Sequence, residues 1–308
     1  MATRDYLSVD DLTTEELDDL LNDAMKIKAK PEGHADALKG RQVALIFEKP
    51  STRTRVSFEV AVSSLGGHAI VLRGDELQLG RGETIEDTGR VLSRYVDAIV
   101  VRTFGQERLE RLATGSSVPV INALSDRSHP CQVLADLLTI REHGHDELGG
   151  VALAYIGDGN NVAHSLLFGG SKMGMDVRIA GPKGYGPDAD VVRRAREVAA
   201  YTGGKVTVTD LVVEAAAGAQ VLYTDVWASM GEEGEGEARA AIFEPYQLNE
   251  AVVEVAAEDA IVMHCLPAHR GEEIATGVMD GERSVVWDQA ENRLHTQKAL
   301  LLWLLGEG

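Results

Sequence analysis

Residues 43 to 55 read Val43-Ala-Leu-Ile-Phe-Glu-Lys-Pro-Ser-Thr-Arg-Thr-Arg55, and they contain a short apolar run followed at once by a polar helix start. The run from Val43 to Phe47 predicts a buried strand, which Pro50 ends. The next residues open an amphipathic helix that Gly66-Gly67 terminates. A strand, a tight turn and a helix in this order form the unit from which parallel α/β sheets are built.

The start of this helix combines side-chain hydroxyls, guanidinium groups and free backbone N–H groups. Ser51, Thr52, Arg53, Thr54 and Arg55 occupy its first turns. A helix N-terminus attracts anions, and the arginine fork matches phosphate oxygens. The alternative is that Ser51 only caps the helix and that the arginines lie in solvent. Two hydroxyls interleaved with two arginines after a strand favour a binding turn for a phosphate-like dianion.

The composition indicates a large acidic protein. The chain has 308 residues, which suggests two domains or one large α/β unit. Lys and Arg number 30 against 49 for Asp and Glu, and the net charge of −19 argues against nucleic acid or a membrane surface as partner. Only 9 of the basic residues are lysine. Such a surface is typical of a halophilic protein in a high-salt cytoplasm, with an ordinary acidic protein as the alternative.

The cysteines and the N-terminus bear on the cellular compartment. Cys131 and Cys265 lie far apart without metal-type spacing, so we expect neither a disulfide framework nor a zinc site. The N-terminal residues lack the apolar core of a signal peptide. No apolar run approaches the length of about eighteen residues that a membrane helix needs. We therefore expect a soluble cytoplasmic protein.

After Gly40 the sequence alternates between apolar strands and amphipathic helices, a pattern typical of largely parallel sheets. Before it, a capping box of Thr13 and Glu16 predicts a first helix that runs to about Ala29. The predicted strands span residues 43–47, 68–72, 97–101, 118–121, 151–156, 176–180, 205–209, 220–224 and 260–264, with a short one at 284–287.

The glycine-rich stretch from His143 to Gly150 follows a helix and precedes a strand, which is typical of a domain boundary. We expect a first domain of residues 1–145, onto which a C-terminal helix at 288–308 packs, and a second domain of residues 146–287. The predicted fold class is α/β, with two doubly wound parallel-sheet domains facing each other across a cleft and terminal helices on the first domain.

Polar residues fall where the predicted strands end, in three clusters per half. In open parallel sheets, ligands bind beyond the carboxyl ends of the strands, so we expect these clusters to line the cleft. The clusters are Ser51, Arg102 and His129-Pro-Cys-Gln132 in the first half, and Asn160-Asn161, Asp225 and His264-Cys265 in the second.

These residues suit different chemical tasks. Arg102 interrupts an apolar segment, so its charge needs an anion or an acidic neighbour. His129 can polarise a carbonyl or move a proton, and Gln132 can accept from an NH2 group. Asp225 can hold an ammonium group, or else only cap a turn. Cys265 is a candidate nucleophile, but no base is evident at a testable spacing, which favours a positioned thiol.

Gly157-Asp-Gly-Asn-Asn161 is similar to a dinucleotide fingerprint, but the third glycine would fall at Val162, and no acidic ribose partner closes the next strand. A nicotinamide dehydrogenase is therefore disfavoured, and the two asparagines suit an amino-acid head group instead. Leu266-Pro267 is a candidate cis peptide bond, which would expose the Leu266 carbonyl.

Taken together, these motifs resemble those of the aspartate/ornithine carbamoyltransferase family, and the resemblance covers essentially the whole chain. The stretches from Phe47 to Arg55 and from His129 to Gln132 are similar to the two carbamoyl-phosphate motifs of the family. The stretch from Asp225 to Gly231 is similar to its ornithine-binding loop. His264 to Arg270 is similar to the signature of its ornithine branch.

The resemblance implies a role for each matched residue. Arg102 would bridge the phosphate and the carbonyl oxygen, His129 would donate to that carbonyl, and Thr54 would help to stabilise the oxyanion. Gln78 would act from its own loop or from a neighbouring subunit. The implied carbamoyl-phosphate set is Ser51, Thr52, Arg53, Thr54, Gln78, Arg102, His129, Gln132, Cys265, Leu266 and Arg293. The implied ornithine set is Asn161, Asp225, Ser229 and Met230.

The implied reaction transfers the carbamoyl group of carbamoyl phosphate to the δ-amine of L-ornithine, giving L-citrulline and phosphate. It would need no metal, no organic cofactor and no covalent intermediate, because Arg102, His129, Thr54 and Cys265 would position and stabilise the reacting groups. The family also implies a homotrimer or a multiple of trimers. Two alternatives remain, namely transfer to another amine such as putrescine or N-acetylornithine, and a catalytically silent module that binds amino acids or phosphate.

Overall fold

The computed structural model describes residues 4–74, 82–228 and 236–306. The chain forms two compact units. Unit 1 comprises Met1–Leu138 and Glu291–Gly308, and unit 2 comprises Thr139–Ala290. Within the described ranges, no helix combines the length and the apolarity that crossing a membrane requires.

Unit 1 alternates helices and strands along the chain. Its elements are α1 (Thr14–Ala29), β1 (Gln42–Phe47), α2 (Thr52–Ser64), β2 (His68–Arg73), α3 (Ile85–Leu92), β3 (Ala98–Arg102), α4 (Gln106–Gly115), β4 (Val120–Leu124) and α5 (Pro130–Glu142), with short 3-10 helices at Val9–Asp11 and Pro31–His34. Among the described residues, the four strands pair in parallel in the order β2-β1-β3-β4.

Local sequence explains how these elements begin and where the core of unit 1 lies. Thr13 Oγ1 accepts the Glu16 N–H at 3.1 Å and Glu16 accepts the Thr13 N–H at 2.7 Å, so the predicted capping box is confirmed. Strand β1 is buried after its first residue, as expected inside a parallel sheet. Apolar side chains of β1 and β3 pack with those of α4, among them Ile46, Val101 and Leu109.

Unit 2 continues the same alternation. Its elements are β5 (Ala152–Ile156), α6 (Asn161–Lys172), β6 (Asp176–Ala180), α7 (Ala189–Thr202), β7 (Lys205–Thr209), α8 (Val212–Ala216), β8 (Val221–Thr224), α9 (Gly236–Phe243), α10 (Glu250–Val255), β9 (Ile261–His264), α11 (Thr276–Met279) and the start of α12 (Val286–Leu305), with a 3-10 turn at Glu244–Tyr246. In the part of unit 2 that the structure describes, five parallel strands pair in the order β7-β6-β5-β8-β9.

The structure confirms the longer predicted strands and shows that the predicted short strand at 284–287 is wrong. Ser284 makes only an isolated parallel bridge to Val262. The bridge is held by the Val262 N–H to the Arg283 carbonyl at 2.8 Å and by the Val285 N–H to the Val262 carbonyl at 3.0 Å. Because Val286 already opens α12, the chain turns into a helix before a further residue can pair.

The polar clusters follow neighbouring strands in each sheet. Strands β1, β3 and β4 are adjacent in unit 1, and β5, β8 and β9 are adjacent in unit 2. In each sheet the chain first builds outward on one side, from β1 to β2 or from β5 to β7, and then continues on the other side. Such a switch point opens a crevice at the carboxyl edge of a parallel sheet, where ligands bind.

Candidate active site

In unit 1, the turn between β1 and α2 carries the residues predicted to bind phosphate. Ser51 caps α2, because its Oγ accepts the Thr54 N–H at 3.3 Å. Thr52 and Arg53 are exposed at the first turn, whereas Arg55 pairs with a glutamate one turn further on, at 2.8 Å. The cap satisfies one N–H group, and the other N–H groups of a first helical turn are typical donors to an anion.

A chain of buried hydrogen bonds links this turn to α5 and α12. Arg293 donates to Thr54 Oγ1 at 3.2 Å and to Gln132 Oε1 at 2.7 Å. Gln132 donates in turn to Asp136 Oδ1 at 2.8 Å. All four side chains are more than nine-tenths buried. The structure therefore brings together Thr54, Gln132 and Arg293, three predicted site residues that are far apart in sequence.

Arg102 and His129 complete the polar cluster of unit 1. Arg102 ends β3 and His129 immediately precedes α5, and both are more than nine-tenths buried. Burial holds the pKa of His129 well below its ordinary value, and the guanidinium groups of Arg293, Arg102 and Arg53 lower this pKa further. The imidazole is therefore neutral near pH 7. A neutral histidine among arginines can donate one hydrogen bond to a carbonyl without adding charge.

Lys49 joins the loops that carry these residues. It lies in the loop after β1 and pairs at 2.6 Å with Asp126, in the loop after β4. Its ammonium group also lies 4.5 Å from the ring centroid of Phe104, which follows β3. Three neighbouring strand ends are thus held together by one lysine that is itself about nine-tenths buried.

In unit 2, Asn160, Asp225 and Cys265 form one hydrogen-bonded group. Asn160 caps α6 through Oδ1, which accepts the Val162 N–H at 2.9 Å, and its Nδ2 donates to Asp225 Oδ2 at 2.8 Å. The Cys265 thiol donates to the other carboxylate oxygen, Asp225 Oδ1, at 2.8 Å. Each oxygen of the carboxylate therefore has a donor, and this geometry orients both the carboxylate and the thiol.

His264 makes two hydrogen bonds that define its tautomer. Its Nδ1 accepts the Leu266 N–H at 2.9 Å, so Nε2 carries the proton and donates it to Glu273 Oε1 at 3.0 Å. Burial opposes ionisation of Glu273, but the hydrogen bonds from His264 and from the His269 N–H outweigh it and hold the pKa of Glu273 below its ordinary value. The pair is fully buried and supports the chain beside Cys265.

Within the described residues, two groups of potential metal ligands occur, both in unit 2. Asp225, His264 and Cys265 have ligand atoms within 4.8 Å of one another, but both ring nitrogens of His264 are already engaged in hydrogen bonds. The second group is His269, Glu272 and Glu273, of which the first two are exposed. A structural metal site needs a buried set of ligands whose lone pairs are available to the metal. Neither group provides such a set.

Models of two protein-family domains match nearly the whole chain. The model described as "Aspartate/ornithine carbamoyltransferase, carbamoyl-P binding domain" matches residues 4–142. The model described as "Aspartate/ornithine carbamoyltransferase, Asp/Orn binding domain" matches residues 149–304. This chain belongs to the aspartate/ornithine carbamoyltransferase family.

Individual members of this family are similar over their full length. The chain is 62% identical to the ornithine carbamoyltransferase of Parafrankia sp. over 310 residues, which covers 100% of this chain and 98% of that relative. The solved ornithine carbamoyltransferase of Pyrococcus furiosus has a TM-score of 0.95 at 53% identity, covering 99% of this chain and 98% of that one. That of Gloeobacter violaceus has a TM-score of 0.89 at 51% identity, covering 99% and 100%. The resemblance inferred from the motifs, and the fold of two parallel α/β sheets, are confirmed.

In this family member, loop packing explains the glycines that are similar to a dinucleotide fingerprint. A Cβ on Gly159 would lie 2.2 Å from the backbone nitrogen of Pro187, and a Cβ on Gly181 would lie 2.4 Å from the Gly157 carbonyl oxygen. Side chains at these positions would push apart the loops that follow β5 and β6. The glycines therefore let these two loops approach each other, which leaves Asn160 free to cap α6.

Gln78, Ser229 and Met230 lie outside the described residues. Asn161 is the first residue of α6. The predicted cis peptide bond between Leu266 and Pro267 is confirmed.

Cys131 shows that the two cysteines of the chain are not equivalent. It is fully buried, and its thiol donates to the Asn122 carbonyl at 3.3 Å. Burial raises its pKa to about 12. The thiol of the His129 to Gln132 motif is therefore protonated and packed, whereas Cys265 contacts the Asp225 carboxylate.

The sequence motifs do not contain the residues that orient the predicted ligands. Asp136 orients Gln132, Glu273 fixes the tautomer of His264, and Gln289 Oε1 accepts the His264 N–H at 2.9 Å. These partners lie outside the motifs. Only Asp136 could have been found from the sequence. It is a lone carboxylate within an apolar stretch of α5, and a buried carboxylate needs a hydrogen-bond donor.

Proposed function

We propose that this family member transfers the carbamoyl group of carbamoyl phosphate to the δ-amine of L-ornithine, giving L-citrulline and phosphate in arginine metabolism. The relatives compared above are named ornithine carbamoyltransferases at 51% to 62% identity. The observation that carries the proposal is the group of Asn160, Asp225 and Cys265, which unites the two ornithine-type motifs through hydrogen bonds.

Unit 1 supplies the groups for carbamoyl phosphate. We place the phosphate at the N-terminus of α2, where Ser51, Thr52, Arg53 and Thr54 offer hydroxyls, N–H groups and a guanidinium. Arg102 lies at the neighbouring strand end and bridges the phosphate and the carbonyl oxygen. Gln132 holds the carbamoyl NH2 group, and its hydrogen bond from Arg293 fixes the orientation of its amide. Gln78 belongs to the same proposed set.

Arg102, His129 and Thr54 stabilise the oxyanion that develops on the carbamoyl carbonyl. Because burial and the surrounding arginines keep His129 neutral, it acts as a hydrogen-bond donor rather than as a charged acid. Each preorganised donor of this kind contributes about 3 kcal/mol to transition-state stabilisation. These donors are already fixed by the protein, so little reorganisation accompanies the reaction.

Unit 2 supplies the groups for ornithine. The Asp225 carboxylate binds the α-ammonium group, and Asn161, Ser229 and Met230 complete the site for the α-amino and α-carboxylate groups. Cys265 and the Leu266 carbonyl lie near the carbamoyl nitrogen and the attacking amine in this arrangement. The hydrogen bonds from Asn160 and Cys265 hold the Asp225 carboxylate in place before ornithine arrives.

The proposed reaction proceeds by direct attack. The neutral δ-amine of ornithine forms a bond to the carbamoyl carbon, the carbonyl electrons move onto oxygen, and the intermediate then expels phosphate as the carbonyl re-forms. The ammonium that forms on attack gives up one proton, which the departing phosphate takes up, so hydrogen phosphate leaves at the α2 terminus. Carbamoyl phosphate is already an activated donor, so we propose that no cofactor, metal or covalent enzyme intermediate takes part.

We also propose how the enzyme is assembled and where it works. A homotrimer, or a multiple of trimers, would let Gln78 serve a neighbouring site, and the oligomer mass measured by light scattering tests this assembly. A cytoplasmic location suits carbamoyl phosphate chemistry. The net charge of −19 with few lysines supports a halophilic enzyme whose activity rises with salt.

The decisive experiment is an acceptor panel. The purified protein and carbamoyl phosphate are supplied with L-ornithine, putrescine or N-acetylornithine, at low and at molar salt, and the ureido product is quantified. We expect product with L-ornithine alone, and greater activity in molar salt. Product from another amine would favour the alternative carbamoyltransferase. Ligand binding by a folded protein that makes no product with any amine would support the silent binding module.

A further inference from the structure

A buried arginine outside the predicted site lies among the loops that carry the unit 2 ligands. Arg239 in α9 is only 8% exposed. Its Nη2 donates to Asp158 Oδ2 at 2.6 Å, and its Nε donates to the Trp227 carbonyl oxygen at 2.7 Å. A buried guanidinium with a carboxylate and a carbonyl acceptor is a fixed element of the fold.

Aromatic rings fix the plane of the same guanidinium. Its central carbon lies 5.2 Å from the ring centroid of Tyr185 and 5.3 Å from that of Phe243. The Phe243 ring in turn stacks on the Trp227 indole, with centroids 6.2 Å apart and planes inclined by 27°. Trp227 is therefore held through both its backbone carbonyl and its side chain.

The partners of Arg239 lie close in sequence to Asp225, a proposed ornithine ligand, and to Asn160, which donates to its carboxylate. Asp158 precedes Asn160 by two residues, and Trp227 follows Asp225 by two residues. Asn160 and Asp225 are themselves joined by a hydrogen bond of 2.8 Å. Arg239 thus joins the loop after β5 to the loop after β8. The Tyr185 ring, which lies near the guanidinium, belongs to the loop after β6.

We propose that Arg239 is a positioning residue for the binding of L-ornithine. Through its contacts with Asp158 and Trp227, it holds Asn160 and the Asp225 carboxylate in place. This inference rests on the proposed function and deepens it. In this proposal Arg239 acts through its partners and not on the substrate itself, because its Nη2 and Nε donate to Asp158 and to the Trp227 carbonyl. Arginine is required because a planar fork can donate to both acceptors while it stacks on two rings, and a lysine ammonium cannot do all of this from one position.

The test compares Arg239→Met and Arg239→Lys with a matched control, Arg193→Lys. Arg193 lies on α7 of the same unit, is largely exposed and pairs only along its helix with Glu197 at 2.9 Å. Each variant is assayed for KM of both substrates and for binding of L-norvaline, which has the α-amino and α-carboxylate groups of ornithine but no δ-amine. Folding is monitored by circular dichroism and thermal unfolding.

We expect Arg239→Met to raise the KM for L-ornithine and the Kd for L-norvaline about tenfold or more, with the KM for carbamoyl phosphate within about twofold of wild type. Arg239→Lys retains the charge opposite Asp158 and gives an intermediate effect. The control variant behaves as wild type. If Arg239→Met does not fold, Arg239→Lys alone decides the question.

The inference is overturned if Arg239→Lys binds L-norvaline as tightly as wild type. It is also overturned if the KM values of both substrates rise by the same factor, which is the pattern of a purely structural loss. A wild-type protein that forms no citrulline would instead remove the proposed function itself. An active wild type with an unaffected Arg239→Lys variant would remove only the role of Arg239.

Discussion

The two units place their polar residues at the same edge of similar parallel sheets, yet the chemistry at the two edges is opposite. Unit 1 gathers the guanidiniums of Arg53, Arg102 and Arg293 around a buried, neutral histidine. Unit 2 gathers the amide of Asn160 and the thiol of Cys265 around the carboxylate of Asp225. The sheet edge provides a place for ligands, and the side chains that follow each strand determine whether that place suits an anion or an ammonium group.

The largest effect should come from the cationic cluster of unit 1. Arg102→Ala removes the donor that we propose for the developing oxyanion, so we expect kcat to fall at least about a hundredfold, since one such donor contributes about 3 kcal/mol or more. Steady-state kinetics with carbamoyl phosphate and ornithine measures the change. Arg111→Ala serves as the control, because Arg111 is an exposed arginine of the same unit that pairs with Glu86 at 2.7 Å. A near-wild-type Arg102→Ala enzyme would contradict the assignment.

The next effect should come from the anionic cluster of unit 2. Asp225→Asn keeps an acceptor for the Cys265 thiol but removes the charge that we propose binds the α-ammonium group of ornithine. We expect the KM for L-ornithine to rise about tenfold to a hundredfold, because hydrogen bonds to charged groups contribute about 1.5–3 kcal/mol. The KM for carbamoyl phosphate should change little, and the exposed Asp146→Asn variant should match wild type. An equal rise in both KM values would contradict the proposal that Asp225 serves ornithine and not carbamoyl phosphate.

The pH profile distinguishes the two clusters in another way. The attacking δ-amine must be neutral, and amines of this kind have a pKa of about 10.4, so kcat/KM for ornithine should rise from about pH 6 to 9. His129 should add no inflection in this range, because its pKa is held well below its ordinary value. A flat profile would mean that deprotonation of the amine does not limit the reaction.

The smallest effect concerns stability. Because the folded protein keeps the pKa of His129 below that of the unfolded chain, the unfolded state takes up protons first as the pH falls below about 6.5. The free energy of unfolding should therefore decrease as the pH is lowered from about 6.5 to 5, by up to about 1.4 kcal/mol per pH unit for one histidine.

A variant assigns this pH dependence to its source. His295 also has a lowered pKa, caused first by burial, and contributes in the same direction. His129→Asn should therefore reduce the slope without abolishing it, as measured by urea denaturation at several pH values. An unchanged slope in His129→Asn would show that His129 titrates alike in the folded and unfolded states.

The sequence predicted the architecture well because periodicity and strand-end residues are local signals. The strand at Gln42–Phe47, the capped helix after Ser51 and the end of β9 at His264 follow from residues close to one another in the chain. The prediction of a short strand at 284–287 was wrong because its valines are equally compatible with the start of α12. Apolar character alone does not separate these two possibilities in so short a run.

The candidate site could be predicted only where a motif carries it. Ser51, His129 and Asp225 stand in recognisable motifs, whereas the partners that hold them do not. The Arg293 hydrogen bonds to Thr54 and Gln132 join residues more than a hundred positions apart, and the Arg239 contacts join four separate segments. Such pairings depend on the tertiary fold and leave no periodic trace in the sequence.

The most direct test of carbamoyl transfer to the δ-amine of ornithine detects the new carbon–nitrogen bond in the product. The enzyme is incubated with carbon-13 carbamoyl phosphate and L-ornithine labelled with nitrogen-15 at the δ position, and the product is examined by NMR. We expect L-citrulline in which the carbamoyl carbon shows a one-bond coupling to the δ nitrogen. A product carbamoylated at the α nitrogen, or no labelled product from the folded enzyme, would contradict it.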